Sequence, residues 1–215
     1  MNFIRLEKEG VSAILNSSFF VLSLALAGCF NEPEPAYKTV PTENRVYLQE
    51  KGLTTLADGR FAGAVRHDAP CAVDYLNLDR NQLTNVDAVA SLTGLKWLRL
   101  NENRLTALPD LSALVNLRRI YLRDNKFTAV PETLKDLPAL TDIELSGNPI
   151  KTIPDWLAAK QGLLFLSFNR TQVTALPADL SAWKSLKALQ LGELNLSAEE
   201  MARIRAVLPD VAITF

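Results

Sequence analysis

The sequence predicts an α/β solenoid: short parallel strands stacked into one curved sheet on the concave face, with short helical or 3-10 segments returning over the convex face. Two observations predict it. The segments VDYLNLDRNQL (73–83), LKWLRLNENRL (95–105), LRRIYLRDNKF (117–127) and LTDIELSGNPI (140–150) follow one another at steps of 22, 22 and 23 residues and share the template LxxLxLxxNxL. Pro109, Pro131, Pro154 and Pro177 each follow an apolar residue at steps of 22, 23 and 23, in phase with that template. A coil of this length cannot bury its own apolar face, but a stack of coils buries a continuous core.

Each template position has a mechanical role. Positions four and six lie two apart, so in a strand both point to the core, while positions three, five and seven point the other way. The Asn column, Asn81, Asn103, Asn125 and Asn148, is a structural ladder whose amides serve buried backbone groups of the turns. The prolines pre-set an extended turn on the convex side. Leu108, Leu111, Leu114 and Leu117 recur every three residues and predict a short helical or 3-10 return segment.

This template resembles the leucine-rich repeat family, which implies the solenoid fold just described and, generically, a binding role. The resemblance extends to weaker copies at 163–173, with Thr171 in the Asn slot, and at 186–196, with Leu194 there. Thr171 is expected to replace part of the amide's bonding and Leu194 none, so the ladder should fail at Leu194. Upstream, RVYLQEKGL (45–53) is a degenerate copy with Lys51 in the Asn slot. About seven coils result.

Both ends of the stack need covers. SAEEMARIRAVLPDVAITF (197–215) opens with Ser197 and Glu200, a capping box for a terminal helix that carries Met201, Ile204 and Val207 or Leu208 at helical spacing, before a last strand. ADGRFAGAVRHDAPCA (57–72) is an insertion at the other end and the candidate amino-terminal cover.

The first 28 residues read as a signal segment. Arg5 and Lys8 precede an apolar stretch, Val11 to Ala27, that is broken by Asn16, Ser17 and Ser18 and is short for a span. LAGC, Leu26 to Cys29, resembles the lipobox of bacterial lipoprotein signal peptides. That resemblance implies cleavage before Cys29, a diacylglycerol on its sulfur and an acylated new amino terminus, so that Cys29 is the lipidation site. Each buried methylene contributes about 0.8 kcal/mol, so two or more chains anchor stably. Phe30 stands where an Asp would mark inner-membrane retention in enteric bacteria, which favours the outer membrane in a double-membraned cell. Glu7 and Glu9 depart from the usual positive leading segment. FNEPEPAYKTVPTEN, with three prolines, reads as an extended tether.

The domain plan is therefore signal peptide 1–28, lipidated Cys29 and tether 29–44, degenerate first repeat and amino-terminal cap 45–72, repeats 73–196 and carboxy-terminal cap 197–215.

Reading the outward positions across successive strands assembles the candidate binding face. Neighbouring strands lie about 4.8 Å apart, so Tyr75 abuts Trp97 and Arg99 abuts Tyr121. The patch comprises Tyr75, Trp97, Arg99, Arg119, Tyr121 and Arg123, and Asp142 with Glu144 on the next strand reverse its sign. Trp, Tyr and Arg combine large buried area with a polar handle, which is why they dominate interface hot spots. The competing reading is that Arg stacks on Tyr or Trp only to stabilise a solvated sheet. Trp183 sits at an apolar position of a return segment and predicts core packing; Trp156 follows Pro154 on the convex side and packs on a neighbouring coil or is exposed.

Catalysis has little to work with. Cys29 and Cys71 are the only thiols and His67 the only imidazole, so no zinc cluster or histidine-based triad is expected. HDAPC, His67 to Cys71, reads as a capping loop with a structural thiol. Charges balance at 23 basic against 24 acidic residues, which gives no basic field for nucleic acid. The sequence thus predicts a monomeric, non-enzymatic module without cofactor or metal, lipid-anchored in the bacterial cell envelope, that binds a protein or peptide on its concave sheet. The alternatives are a structural envelope protein, or a cytosolic signalling regulator if the signal is retained.

Overall fold

The computed structural model describes residues 44–57, 59–64 and 72–215. The signal segment, Cys29, the tether and the HDAPC motif lie outside the described residues.

Eight three-residue strands form one parallel sheet in chain order: β1 (Arg45–Tyr47), β2 (Tyr75–Asn77), β3 (Trp97–Arg99), β4 (Arg119–Tyr121), β5 (Asp142–Glu144), β6 (Phe165–Ser167), β7 (Ala188–Gln190) and β8 (Ala212–Thr214). Parallel neighbours need a crossover, and the remainder of each coil supplies it. The middle residue of each strand from Val46 to Leu189 is buried, as is the residue two further on, from Leu48 through Leu78, Leu100, Leu122 and Leu145 to Phe168 and Leu191. The two-residue alternation predicted for template positions four and six is present. Together with the leucines of the return segments, these residues form one continuous core cluster.

The Asn column performs as its chemistry predicts. Asn103 donates from Nδ2 to the carbonyls of Leu78 on the preceding coil (3.0 Å) and Leu100 on its own (3.1 Å), and its Oδ1 accepts from Leu83 N (3.1 Å). Asn125 repeats the set with Leu100, Leu122 and Leu105, and Asn148 with Leu122, Leu145 and Phe127. Asn81 opens the series toward Leu48, Leu78 and Leu53. Each Nδ2 also reaches the carbonyl two residues before it, so one buried side chain ties four backbone groups on two coils.

The ladder ends earlier than the sequence reading places it. Thr171 is buried in the Asn slot, yet its hydroxyl makes no hydrogen bond among the described residues. A branched side chain with one short hydroxyl arm does not span the two coils that an amide spans, so the series stops at Asn148 and not at Leu194.

The return segments differ from coil to coil. Asp87–Ser91, Glu132–Leu134 and Ser181–Ser185 are 3-10 helices, and Asp155–Ala158 is one α-helical turn, α2, preceded in the chain by α1 (Gly59–Ala64). Pro131 and Pro154 stand immediately before two of them in extended conformation, at φ −60°, ψ 121° and φ −72°, ψ 149°, as their rings dictate. The coil bearing Leu108, Leu111, Leu114 and Leu117 holds no helix. It makes two isolated turns, Leu114 N to Leu111 O (2.8 Å) and Leu117 N to Leu114 O (2.9 Å). Three-residue spacing is equally the signature of consecutive tight turns, and an Asx turn at Asp110, which accepts from Ser112 N (2.9 Å), precedes them.

Covers close both ends. Phe61 of α1 is buried in the core cluster beside Leu53 and Leu56. At the other end α3 (Ala198–Val207) packs Ile204 inward, and Ser197 Oγ accepts from Glu200 N (3.2 Å). The expected capping box is only half formed. The Glu200 carboxylate turns away from the helix start, accepting from Leu176 N (2.8 Å) and clasping Arg203 through both oxygens (2.8 Å each). Arg203 in turn donates to the carbonyls of Leu176, Pro177 and Ala178. The pair staples the cover to the return segment before it by bonding the Leu176 amide and the carbonyls of Leu176, Pro177 and Ala178.

Two outcomes follow for stability. Asn125→Ala removes a four-bond amide from a buried site and should cost about 3 kcal/mol, read as a lower urea midpoint with unchanged slope; a loss below about 0.5 kcal/mol would show that the ladder is dispensable. The Arg203 guanidinium, with the Leu176 amide, holds Glu200 below the usual carboxylate range. Its stabilisation is therefore present above the unfolded carboxylate pKa and lost as pH falls through the lowered folded value. Glu200→Gln should reduce stability at neutral pH and leave a shallower loss between pH 5 and 3 than the parent chain shows.

Candidate aromatic and guanidinium face

Register places the outward residues as the strand alignment predicts. Tyr75, Trp97, Arg119, Asp142 and Phe165 form one row across β2 to β6, and Asn77, Arg99, Tyr121, Glu144 and Ser167 the next. Four rings, not three, meet on this surface. Tyr47 lies 5.3 Å from Tyr75, Tyr75 packs edge-to-face on Trp97 at 5.0 Å, and Trp97 does the same on Tyr121 at 5.7 Å. Edge-to-face contact sets the positive rim of one ring against the negative face of the next. Tyr47 is half exposed, and it joins because its side chain crosses diagonally from the fifth position of β1 to the third of β2.

Three guanidiniums cover ring faces: Arg45 over Tyr75 (5.8 Å), Arg119 over Trp97 (5.0 Å) and Arg99 over Tyr121 (5.6 Å). Sequence reasoning missed Arg45 and Tyr47 as members of the patch because they belong to the degenerate copy. Burial raises the Tyr75 and Tyr121 phenols above their ordinary values, with the Asp79 carboxylate adding to the effect at Tyr75 and Asp142 at Tyr121. Both remain neutral donors at physiological pH.

A second polar ladder lines one flank of the rings and was also missed. Asp79 is buried, accepting from Asn101 N at Oδ1 (2.8 Å) and from Arg99 at Oδ2 (2.6 and 2.7 Å). Asn101 Oδ1 accepts from Arg123 N (2.9 Å) one coil on. Position seven therefore folds back onto the backbone instead of standing free. Burial is the largest influence on the Arg99 charge and works against it, but the bond to Asp79, the Asp79 charge and the neighbouring phenols together outweigh it, and the guanidinium pKa sits above its ordinary value. These residues and their neighbours border a polar cavity of about 310 Å³ lined by Gln49, Asn77, Asp79, Arg99, Asn101 and Arg123, among others.

The residue before each Asn slot adopts a left-handed backbone: Glu50, Arg80, Glu102, Asp124, Gly147, Arg170 and Glu193 all have φ between 52° and 69°. Charged residues of both signs accept this strained region at six of the seven positions. Arg80 bridges Glu50 (2.7 Å) and Glu102 (3.3 Å), while Arg170 reaches over Gly147 to Asp124 (3.0 Å). Gly147 is required twice, since its φ is +69° and a Cβ there would collide with the Asp124 carboxylate. The run of charged residues E, R, E, D, G, R, E at template position eight was the available signal.

Beyond β5 the face changes character. Asp142 accepts from Thr141 Oγ1, and Arg119 approaches it only to 3.8 Å. Glu144 accepts from Ser146 N (2.8 Å). Ser146, Ser167, Gln190 and Asn169 then join one small network, and Phe165 is the one ring of the outward row on this half. The chain of contacting rings and the guanidiniums over them lie on β1 to β4. On the convex side Trp183 is fully buried with its Nε1 donating to Leu157 O (2.9 Å), and Trp156 Nε1 reaches Glu132 on the preceding coil (2.8 Å). Both are structural.

A leucine rich repeat family model matches residues 71–127 and 93–150. Among solved structures, YopM from Yersinia enterocolitica aligns at 29% identity with a TM-score of 0.54, covering 72% of this chain and 30% of that one. An internalin (inlF) from Listeria monocytogenes aligns at 21% identity with a TM-score of 0.52, covering 67% of this chain and 50% of that one. The chain thus spans half or less of the length of these structures. No curated protein sequence matches it significantly. The fold is a leucine-rich repeat solenoid, an architecture whose extended concave surface typically serves protein binding.

Gly147→Ala should destabilise the chain by about 2 kcal/mol, from backbone strain together with displacement of Asp124. Asp124→Ala in the same chain should recover part of the loss, since it removes the collision but not the strain. No recovery in a urea titration would contradict the steric account.

Proposed function

We propose that this leucine-rich repeat solenoid is a non-enzymatic module that binds a protein or peptide on the outward face of β1 to β4, and that Cys29 anchors it by lipid to the bacterial cell envelope. The observation that carries the binding half is the four-ring chain from Tyr47 to Tyr121 on a surface with no interior demand for aromatic residues. Tyr47 is exposed and Tyr75, Trp97 and Tyr121 are half-buried, and the area, rigidity and polar rims of such rings are what protein interfaces use. The cation stacking contributes about 0.5 to 1 kcal/mol per contact, which stabilises the surface without accounting for why the rings are there.

The anchoring half rests on LAGC at Leu26 to Cys29 and on the proline-bearing tether after it. In this reading the proline-bearing segment is the spacer between the lipid on Cys29 and the solenoid. The outer membrane is the favoured site in a double-membraned cell, and the partner is then another envelope or surface protein.

Replacing Trp97 and Tyr121 together by Ala should abolish capture of the partner from host envelope extracts while leaving the unfolding midpoint within about 1 kcal/mol of the parent. Undiminished capture would defeat the concave-face reading. The intact mass of the protein from its host should correspond to a chain beginning at Cys29 with added acyl mass, and Cys29→Ala should release it from membranes. A chain retaining Met1 would defeat the anchor and restore the cytosolic regulator.

A further inference from the structure

Most cations on the binding face are already neutralised. Arg99 lies 2.6 Å from Asp79, Arg123 2.9 Å from Asp124, and Arg80 2.7 Å from Glu50. Two are less fully paired. Arg45 is exposed and forms no ion pair among the described residues, while Arg119 is half exposed and its ion pair with Asp142, at 3.8 Å, is too long for a hydrogen bond. These same two are stacked on ring faces, Arg45 on Tyr75 and Arg119 on Trp97. A guanidinium lying over a ring face keeps the N–H groups directed away from the ring available, and its planar fork can take a carboxylate bidentately.

Their spacing is fixed by the sheet. Arg45, Tyr75, Trp97 and Arg119 occupy the same row on four consecutive strands, so three inter-strand steps of about 4.8 Å place the two cations roughly 14 Å apart. An extended peptide advances about 3.3 Å per residue, so roughly four residues cover that distance. Between the cations lie two rings, and the Trp97 indole N–H is buried without a hydrogen-bond partner among the described residues. An unpaired donor in the centre of a recognition surface is the kind of group a partner completes. Past Arg119 the next strand offers Asp142 and Glu144.

We infer that the partner segment is an extended acidic peptide carrying carboxylates four residues apart, with an apolar or aromatic side chain between them, seated on Arg45 and Arg119 across Tyr75 and Trp97. Its end nearer β5 carries a basic residue toward Asp142 and Glu144. The inference rests on the concave-face reading and adds the chemistry and charge order of the partner. The surface is cationic on β1 and β4 and anionic on β5, which sets the end of the segment at which the basic residue sits.

Random peptide display against the purified full-length chain tests this. Selected peptides should carry Asp or Glu at positions i and i+4 around an apolar residue, and a synthetic peptide of that pattern should lose affinity as salt rises from 50 to 500 mM. Arg45→Gln and Arg119→Gln should each weaken it about tenfold. Arg119→Lys should not restore full binding, because a point charge does not reproduce the stacked fork. Arg118→Gln, an exposed neighbour, should leave affinity unchanged. Selection of basic or uncharged peptides that still need Trp97 and Tyr121 would overturn the acidic assignment and leave the concave-face reading standing. Peptides whose binding survives loss of both rings would overturn the face as well. Retention of an acidic polysaccharide such as heparin, with no peptide selected, would overturn the assignment to a peptide.

Discussion

The buried amide in the Asn slot is the constraint from which the rest follows. A solenoid must turn its backbone inside the protein once per coil, and each turn leaves polar groups that solvent cannot reach. An asparagine carries two donors and an acceptor on one short arm, enough to tie its own coil to the one before. Asn81, Asn103, Asn125 and Asn148 do so in series. Because the amide spans both coils, it fixes their relative register, and register decides which outward side chains become neighbours.

That register turns a one-dimensional pattern into a surface. Tyr75 faces Trp97 because Leu76 faces Leu98 beneath them, and the core therefore sets the distance at which the rings meet. The flanking ladder of Asp79 and Asn101 and the alternating row of Glu50, Arg80 and Glu102 then settle which guanidiniums are spent on structure. Arg45 and Arg119 are left less fully paired. The half beyond β5, where Ser146, Ser167 and Gln190 bond to one another, offers a partner far less. The ladder also ends on that side, at Thr171, and the Glu200 and Arg203 staple takes over the work of holding the last coil's cover.

What could be read from the sequence was whatever depends on one position repeated at a fixed period. Leu98 under Trp97, Asn103 in its slot and Pro131 at its turn are each dictated by local backbone geometry, so the fold class and the composition of the candidate patch were legible. What escaped depends on where a long side chain goes after leaving the backbone. Tyr47 crosses to Tyr75 from a different template position, Asp79 folds back to take Arg99, and Glu200 leaves its own helix start for Leu176 N. None of these choices is periodic. The leucines from Leu108 to Leu117 failed for another reason, because one spacing describes both a 3-10 helix and two successive turns.

The central claim is that recognition is confined to the ringed half of the outward sheet face. Hydroxyl-radical footprinting of the full-length chain, free and with the partner captured from host envelopes, tests it most directly, since aromatic side chains report their own exposure. The account predicts protection at Tyr47, Tyr75, Trp97 and Tyr121, with Trp156 and Val115 on the other side of the coils unchanged. Protection centred on Trp156 and Val115, with the four rings still oxidised at the free rate, would contradict it.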